Sequence, residues 1–412
     1  MLAQLNSTFD LKMKTPQTER HIVAAPRSIT NMPPHLVHAT VVHPRYDTRI
    51  LFKQCDSLAR SGLGVVSLFV ADGRGDETWN GIRIHDVGKP RFGRIGRAAG
   101  GSFRLWKALR KVRPDLVQIH DPELIPLALL LKGFGTRVLF DMHENLPKEI
   151  LTKNWVSPPA RRIVSSIARE MQLLTSRQIP VIFAEDSYVK DFPSAKKSVV
   201  VLNYPLVESL IAIASEKKPR FTVGYIGGLS AERGALVVLD ALARLRGNGA
   251  DIYAVFVGPV LSEKLLTERL DTAVRGGWLT ATGRLEPAEG WSRIAECHVG
   301  LAILQPSSNF VDSYPTKLFE YMALGLPVIV SDFPLWREVV ETAGCGIMVD
   351  PSDVDALARA IAWMCDNPEE ANRMGRKGRE AVLQNYRWDS QFGKLKAFYE
   401  DVLASPNGDR DS

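Results

Sequence analysis

Long apolar runs are missing. No stretch of the 412 residues reaches the roughly 18–20 apolar positions that a bilayer-spanning helix needs. The opening MLAQLNSTFDLKMKTPQTERH lacks the continuous apolar core of a secretory signal. Residues 1–35 therefore read as a polar, mostly disordered leader. Cysteine is scarce: Cys55, Cys297, Cys345 and Cys365 form no CxxC pair and no Cys/His zinc spacing. Reduced thiols in a cytoplasmic protein are the expectation, and a disulfide scaffold is excluded. A GxGxxG dinucleotide fingerprint is absent. The two DxD strings are Asp353-Val354-Asp355, which opens a helical pattern, and Asp409-Arg410-Asp411, which lies in the tail. Acidic residues suit a helix start electrostatically, so neither string is expected to hold a metal.

Apolar material is ample: 45% of the residues are hydrophobic and 24% charged, enough for two cores of ordinary size. Charge is uneven along the chain. Residues 1–205 carry 30 Lys and Arg against 18 Asp and Glu, a balance of +12, whereas residues 206–412 carry 22 against 28, a balance of −6. The densest basic segment, Arg91 to Arg113, holds eight cations and no acid. An anionic lipid surface or a phosphate-bearing partner fits this asymmetry. Nucleic acid is not expected, because no recognised binding motif accompanies the patch. Around 102–112 the spacing allows a helix with an aromatic and aliphatic side and a cationic side. Two readings stand: an interfacial segment, or a surface helix burying Phe103 and Trp106.

Short β-branched runs alternate with helical patterns almost from end to end. Strands are expected at 36–42, 64–70, 116–119, 137–141, 180–184 and 198–202, then at 221–227, 252–258, 278–283, 298–304, 327–331 and 346–350. Between the two series, 206–220 has no strand signature and ends in a charged run. The expected organisation is an α/β domain over 36–205, a linker over 206–220, a second over 221–387, and a final helix over 388–404 that packs back on the first. Two doubly wound, Rossmann-like sheets would place ligands at the carboxyl ends of their strands.

The most informative segment is Asp312-Ser313-Tyr314-Pro315-Thr316-Lys317-Leu318-Phe319-Glu320. Pro315 suits the first helical position, and Gly325 and Pro327 stop the helix. Its amino terminus would point out from the strand ends, where free N–H groups receive phosphate. Lys317 and Glu320 share a face. The cation suits a diphosphate and the carboxylate suits two ribose hydroxyls; a capped helix with an incidental Lys–Glu pair is the alternative. Earlier, strand 221–227 runs into Gly227-Gly228-Leu229-Ser230-Ala231-Glu232-Arg233-Gly234. A paired-glycine turn lets a ligand approach the backbone, and Arg233 at the helix start favours an anion.

Together these two segments resemble the retaining GT-B glycosyltransferases of family 4. Asp312 and Glu320 have the spacing of that family's acidic pair, and PTKLFEYMALGLPVIVSD is similar to its donor-site helix and following strand. The family usually carries Arg or Lys where this chain has Gly228, and Glu where it has Asp312. The resemblance implies a GT-B fold facing a central cleft and a nucleotide-sugar donor, UDP-linked for preference. It assigns donor-binding roles to Gly227, Gly228, Arg233, Pro315, Thr316, Lys317, Leu318 and Glu320. It also implies metal-independent, front-face transfer without a cofactor. Arg233 and Lys317 would stabilise the leaving diphosphate, and Asp312 and His120 would position the sugar.

On the acceptor side, Asp47 and Arg49 follow the first strand. There Asp47 either faces the cleft or caps the next helix. Strand 116–119 ends in His120-Asp121-Pro122-Glu123, and strand 137–141 ends in Asp141-Met142-His143-Glu144. The resemblance puts His120 beside the donor sugar, while Asp121, His143 and Glu144 are expected on the acceptor side. The acceptor would be a glycan or a lipid-linked sugar in cell-surface polysaccharide synthesis, reached at the cytoplasmic membrane face. Two other functions share the architecture: a nucleotide-sugar epimerase or phosphorylase, and a silent nucleotide-sugar-binding subunit.

Overall fold

The computed structural model describes residues 32–90, 93–152, 157–261 and 264–405. The leader expected over 1–35 lies outside the described residues up to Asn31, as do Arg91 and the side chains of Arg94 and Arg97.

The first series of apolar runs builds an eight-stranded sheet. Its strands are β1 (His35–Ala39), β2 (Val65–Val70), β3 (Glu77–Trp79), β4 (Ile82–Asp86), β5 (Leu116–Ile119), β6 (Arg137–Met142), β7 (Val181–Phe183) and β8 (Ser198–Val200), in the order β3-β4-β2-β1-β5-β6-β7-β8. All neighbours are parallel except β3 and β4. That hairpin was not expected from the sequence. Its strands are short and half polar, and its turn is Asn80-Gly81, both with positive φ (45° and 79°), as a two-residue hairpin turn demands.

Strand residues alternate between two buried faces. On one, Val37, Val117, Val138 and Val181 pack against Leu105 and Leu109 of α1 (Ser102–Val112), Ala128 and Leu131 of α2 (Ile125–Gly133), and Leu173 of α3 (Pro158–Gln178). The inward side of α1 is thus mainly aliphatic, with Trp106 partly buried against the same core. Phe103 points out, 61% exposed, on the cationic side, so the reading that buries it does not hold.

The second series forms a wholly parallel sheet of β9 (Thr222–Ile226), β10 (Tyr253–Val257), β11 (Leu279–Ala281), β12 (Val299–Ala302), β13 (Val328–Ser331) and β14 (Gly346–Val349), in the order β11-β10-β9-β12-β13-β14. After β12 comes α4 (Thr316–Ala323). It starts one residue later than expected, so Pro315 is its N-cap, in extended backbone. Leu318, Phe319, Tyr321 and Met322 are sealed in a core with Val328, Val330 and Trp336. Gly325, at φ 70°, ends the run.

The other face of the first sheet (Leu36, Leu68, Leu116 and Leu139) packs against Ile50, Leu51 and Leu58, and against α5 (Trp388–Ala404). Trp388, Leu395, Phe398 and Tyr399 of α5 belong to this core, and Trp388 Nε1 donates to Ser57 Oγ at 2.8 Å. The last helix of the chain therefore reaches the strands that carry the acceptor-side residues. In each sheet the order reverses beside the first strand, β1 or β9, and the crevice at such a reversal is where open α/β sheets bind ligands.

Candidate active site

The half of the site expected to take the donor starts at the end of β9. Glycine is obligatory here for steric reasons. Gly227 sits at φ 122° and Gly234 at φ 74°, and a Cβ on Gly234 would lie 1.7 Å from the carbonyl oxygen of Ile303. The Tyr225 hydroxyl lies 3.1 Å from the carbonyls of both Gly228 and Arg233 and ties the turn from below. Over its ring, 4.1 Å from the centroid, stands the Lys317 ammonium. Lys317 is buried, yet its Nζ has no hydrogen-bond partner among the described residues. Burial, followed by the neighbouring Arg233, pulls its pKa down to about 7, against the opposing pull of Glu320. A buried cation with open hydrogen-bonding capacity is costly unless a ligand completes it.

The space in front of Lys317 is a cavity of ≈ 350 Å³ lined by Gly227, Arg233, Pro315, Thr316, Lys317 and Glu320, among others. Arg233 lies over the Phe310 ring, 5.8 Å from its centroid. Leu318 turns into the core instead of lining the cavity. Beside Gly228, the Leu261 side chain fills the space a side chain would need: a Cβ there would meet it at 2.8 Å. A larger groove of ≈ 820 Å³, against Thr222, Tyr253 and Arg293, shares no lining residue with this cavity.

Three groups missing from the sequence reading join the two sheets at this point. Lys53 Nζ donates to the Asn203 side-chain oxygen at 2.7 Å, and Asn203 Nδ2 donates to Thr316 Oγ1 at 3.3 Å. Burial lowers the Lys53 pKa and raises that of Glu320, and each charge partly restores the other. Glu185, just past β7, accepts from the Tyr314 N–H at 3.2 Å, and burial pushes its carboxyl up to about 8. Asp312 is about half exposed and stands 3.6 Å from Lys148 Nζ. Only Lys53 left a local signal: it lies one helical turn after Arg49.

At the half expected to take the acceptor, four of the eight histidines gather at the ends of β1, β5 and β6. Asp47 caps the helical stretch that follows it, accepting from the N–H groups of Arg49 and Ile50 at 2.9 Å. Arg49 turns inward. Its Nε and Nη2 donate to Asp141 at 3.1 and 2.8 Å, and Nη1 donates to the Val201 carbonyl. Burial alone would raise Asp141; Arg49 and then His143 hold it well below the usual carboxylate range. His120 is sealed, 1% exposed, behind His143, and burial pulls it down to about 4. Asp121 is also sealed and accepts from Thr40 Oγ1 and the Val41 N–H; burial raises its pKa against the pull of His43. His43 stands 3.5 Å from both Asp47 and Asp121, and despite burial these carboxylates raise it to about 9. Glu144 is exposed.

Ligand atoms of His120, Asp141 and His143 lie within 4.8 Å of one another, close enough to surround a metal ion. The Asp141 carboxylate is already neutralised by Arg49, and a divalent ion there would face that guanidinium. The chemistry of the set fits hydrogen bonding better than metal binding.

Comparison with known proteins agrees with this fold. The family model "Glycosyl transferases group 1" matches residues 208–381, and the "Glycosyl transferase 4-like domain" model matches residues 48–177. The chain belongs to the group 1 glycosyltransferases. Among curated relatives, the MMP alpha-(1->4)-mannosyltransferase of Mycolicibacterium hassiacum is 26% identical over 74% of this chain and 75% of its own. The D-rhamnosyltransferase WbpZ of Pseudomonas aeruginosa is 21% identical over 73% and 77%. Sucrose-phosphate synthase from Thermosynechococcus elongatus superposes with a TM-score of 0.70 at 16% identity, covering 90% of this chain and 99% of its own. Anabaena HepE in complex with UDP-glucose superposes at 0.66 with 14% identity, covering 89% and 100%. The fold of this glycosyltransferase is GT-B. Among its described residues no helix is long and apolar enough to cross a membrane.

Proposed function

We propose that this glycosyltransferase moves a sugar, with retention of configuration, from a UDP-linked donor to a glycan or lipid-linked acceptor in cell-surface polysaccharide assembly. The observation that carries the donor half is the unpartnered, buried Lys317 ammonium at the head of the cavity. A diphosphate would supply the missing acceptors. It would also receive Arg233 and the free N–H groups that begin α4. As the glycosidic bond breaks, charge develops on the leaving phosphate, and fixed cations there stabilise the transition state more than the ground state. The departing oxygen then accepts the proton of the attacking hydroxyl on the same face. Glu320 is placed for the ribose, and Asp312 and the His143 edge for sugar hydroxyls. No step requires a metal.

An anionic cytoplasmic membrane face is the proposed place of work. Phe103 of α1 is 61% exposed, among Arg104, Lys107 and Arg110. On α3, which packs on the same face of the sheet, Ile163 and Ile167 are 64% and 65% exposed, beside Arg162 and Arg169. Apolar residues edged by arginine suit a headgroup boundary.

Calorimetry with UDP and GDP, followed by NMR of the product anomer, tests the reading. Tight UDP binding and a product with the donor's anomeric configuration are expected. GDP preferred over UDP would replace the base. An inverted product would remove the front-face mechanism, and an altered sugar nucleotide released without acceptor would make the protein an epimerase.

A further inference from the structure

Behind the His143 edge lies a closed ring of six buried side chains: Asp141, Gln54, Gln118, Tyr399, His38 and His120. The distances around it are 2.6 Å from Gln54 Nε2 to Asp141 Oδ2, 2.5 Å from Gln118 Nε2 to Gln54 Oε1, and 2.5 Å from Tyr399 OH to Gln118 Oε1. They continue with 3.2 Å from Tyr399 OH to His38 Nε2, 3.0 Å from His38 Nδ1 to His120 Nε2, and 3.2 Å from His120 Nδ1 back to Asp141 Oδ2. All six are buried below 2% exposure, so water does not complete the pattern.

One fact directs the bonds from Gln54 round to His120: an ionised carboxylate only accepts. Asp141, ion-paired with Arg49, obliges Gln54 to present its NH2 group. The Gln54 oxygen then faces Gln118, which must donate with its own NH2 and accept with its oxygen. Tyr399 therefore spends its single proton on Gln118. Its oxygen can only accept from His38, which places the His38 proton on Nε2. His38 Nδ1 is left as an acceptor and takes the proton of His120 Nε2. The opposing contact, Gln118 Nε2 to His120 Nε2 at 3.5 Å, is the longest in the set. Neutral His120 is thus left with a lone pair on Nδ1, so its 3.2 Å approach to Asp141 closes the ring without a proton of its own, and the donor facing both acceptors is His143 Nε2, 3.0 Å from His120 Nδ1. His143 Nε2 must carry the proton there and donate to Asp141 Oδ2 at 2.7 Å. Of His38, His120 and His143, only His143 reaches solvent to any extent, with 12% of its side chain exposed.

We propose that Tyr399, on the last helix, is a positioning residue. Through His38 and His120 it fixes the proton of His143 on Nε2, so that the imidazole at the cleft edge offers Nδ1 as a hydrogen-bond acceptor to a substrate hydroxyl. The substrate part rests on the transfer site proposed above; the proton arrangement does not. A fixed tautomer gives the hydroxyl one orientation instead of two, which is what preorganised positioning requires.

The experiment is long-range 1H–15N correlation on 15N-histidine protein at pH 7, with resonances assigned by single His→Gln variants. Wild type is expected to show His38, His120 and His143 each as one neutral tautomer with the proton on Nε2. In Tyr399→Phe, His38 loses the acceptor for its Nε2 proton, and both His38 and His120 should move to averaged tautomer shifts. Turnover is then measured with whichever of UDP-glucose and GDP-mannose calorimetry selects. About tenfold lower kcat with unchanged donor KM is expected, the size of one misplaced hydrogen bond. A proton on Nδ1 of His120 or His143 in the wild type overturns the proposal, and that spectrum suffices if the variant does not fold. So does a folded Tyr399→Phe with wild-type tautomers. Failure to bind either nucleotide would count against the donor site and leave the spectrum unaffected.

Discussion

Replacing Lys317 with Met keeps most of the side chain's length and removes its charge. Burial and Arg233 take the lysine from 10.5 to about 7, a drop worth roughly 5 kcal/mol of cost for holding the charge in the folded protein. The sign follows from proton counting. An unfolded lysine keeps its proton to about pH 10.4, so between about pH 7 and 10.4 the unfolded chain binds more protons. Stability from this group therefore rises with pH across that window, and the penalty is complete below pH 7. Met carries no such penalty, and its thioether packs well against an aromatic ring such as Tyr225. Lys317→Met should thus be more stable than wild type at pH 7, by at least 1 kcal/mol, with the advantage shrinking toward pH 10. The same change should weaken UDP binding by about 1.5–3 kcal/mol, on the order of 10- to 150-fold, because a charge-assisted contact is lost. Thermal unfolding at pH 7 and 9.5, with calorimetric titration of UDP, measures both. A folded variant that is less stable than wild type and binds UDP equally well would refute the donor-site assignment and its electrostatic basis together.

Arg49→Met should cost about 3–5 kcal/mol, since it strands the buried Asp141 carboxylate; denaturant unfolding reads this, and adding Asp141→Leu should recover part of the loss. Turnover should persist in EDTA, because Arg233 and Lys317 line the cavity proposed for the diphosphate and would neutralise the leaving group there; activity that vanishes and returns with Mg2+ or Mn2+ would contradict this. Replacing Arg104, Lys107 and Arg110 with Gln should reduce co-sedimentation with anionic vesicles at low salt, by about 1 kcal/mol per residue, and leave neutral vesicles unaffected.

What was legible in the sequence was local. Each strand of both sheets except β3 and β4 announced itself as a short apolar run, and most of these runs are buried on two faces, a pattern that survives without knowledge of the partner strand. The helix Thr316–Ala323 was legible because Pro315 and Gly325 punctuate it, and its proposed donor role because Lys317 and Glu320 fall on one face. Asp47 illustrates the boundary. The sequence allowed a cleft residue or a cap, and only the two N–H groups at 2.9 Å show it to be a cap. Phe103 illustrates the converse, since an aromatic among cations reads as core material until the aliphatic Leu105 and Leu109 are seen to fill the inward side.

The residues that escaped are those whose role depends on a partner far along the chain. Lys53 meets Asn203 across 150 positions, Glu185 meets Tyr314 across 129, and Tyr399 meets Gln118 across 281. No periodicity encodes such a pairing. Composition argues against expecting a buried arginine or lysine at all, because charged side chains are almost never sealed unless paired. The histidine cluster makes the distinction sharp. His120 and His143 were visible as polar residues past strand ends, because the strands themselves were visible. Their protonation states were not, because the proposed arrangement also needs an amide, Gln54, and a phenol, Tyr399, that arrive from distant parts of the chain. A site of this kind is read from the sequence as a set of positions, and it becomes chemistry only when the direction of each hydrogen bond is known.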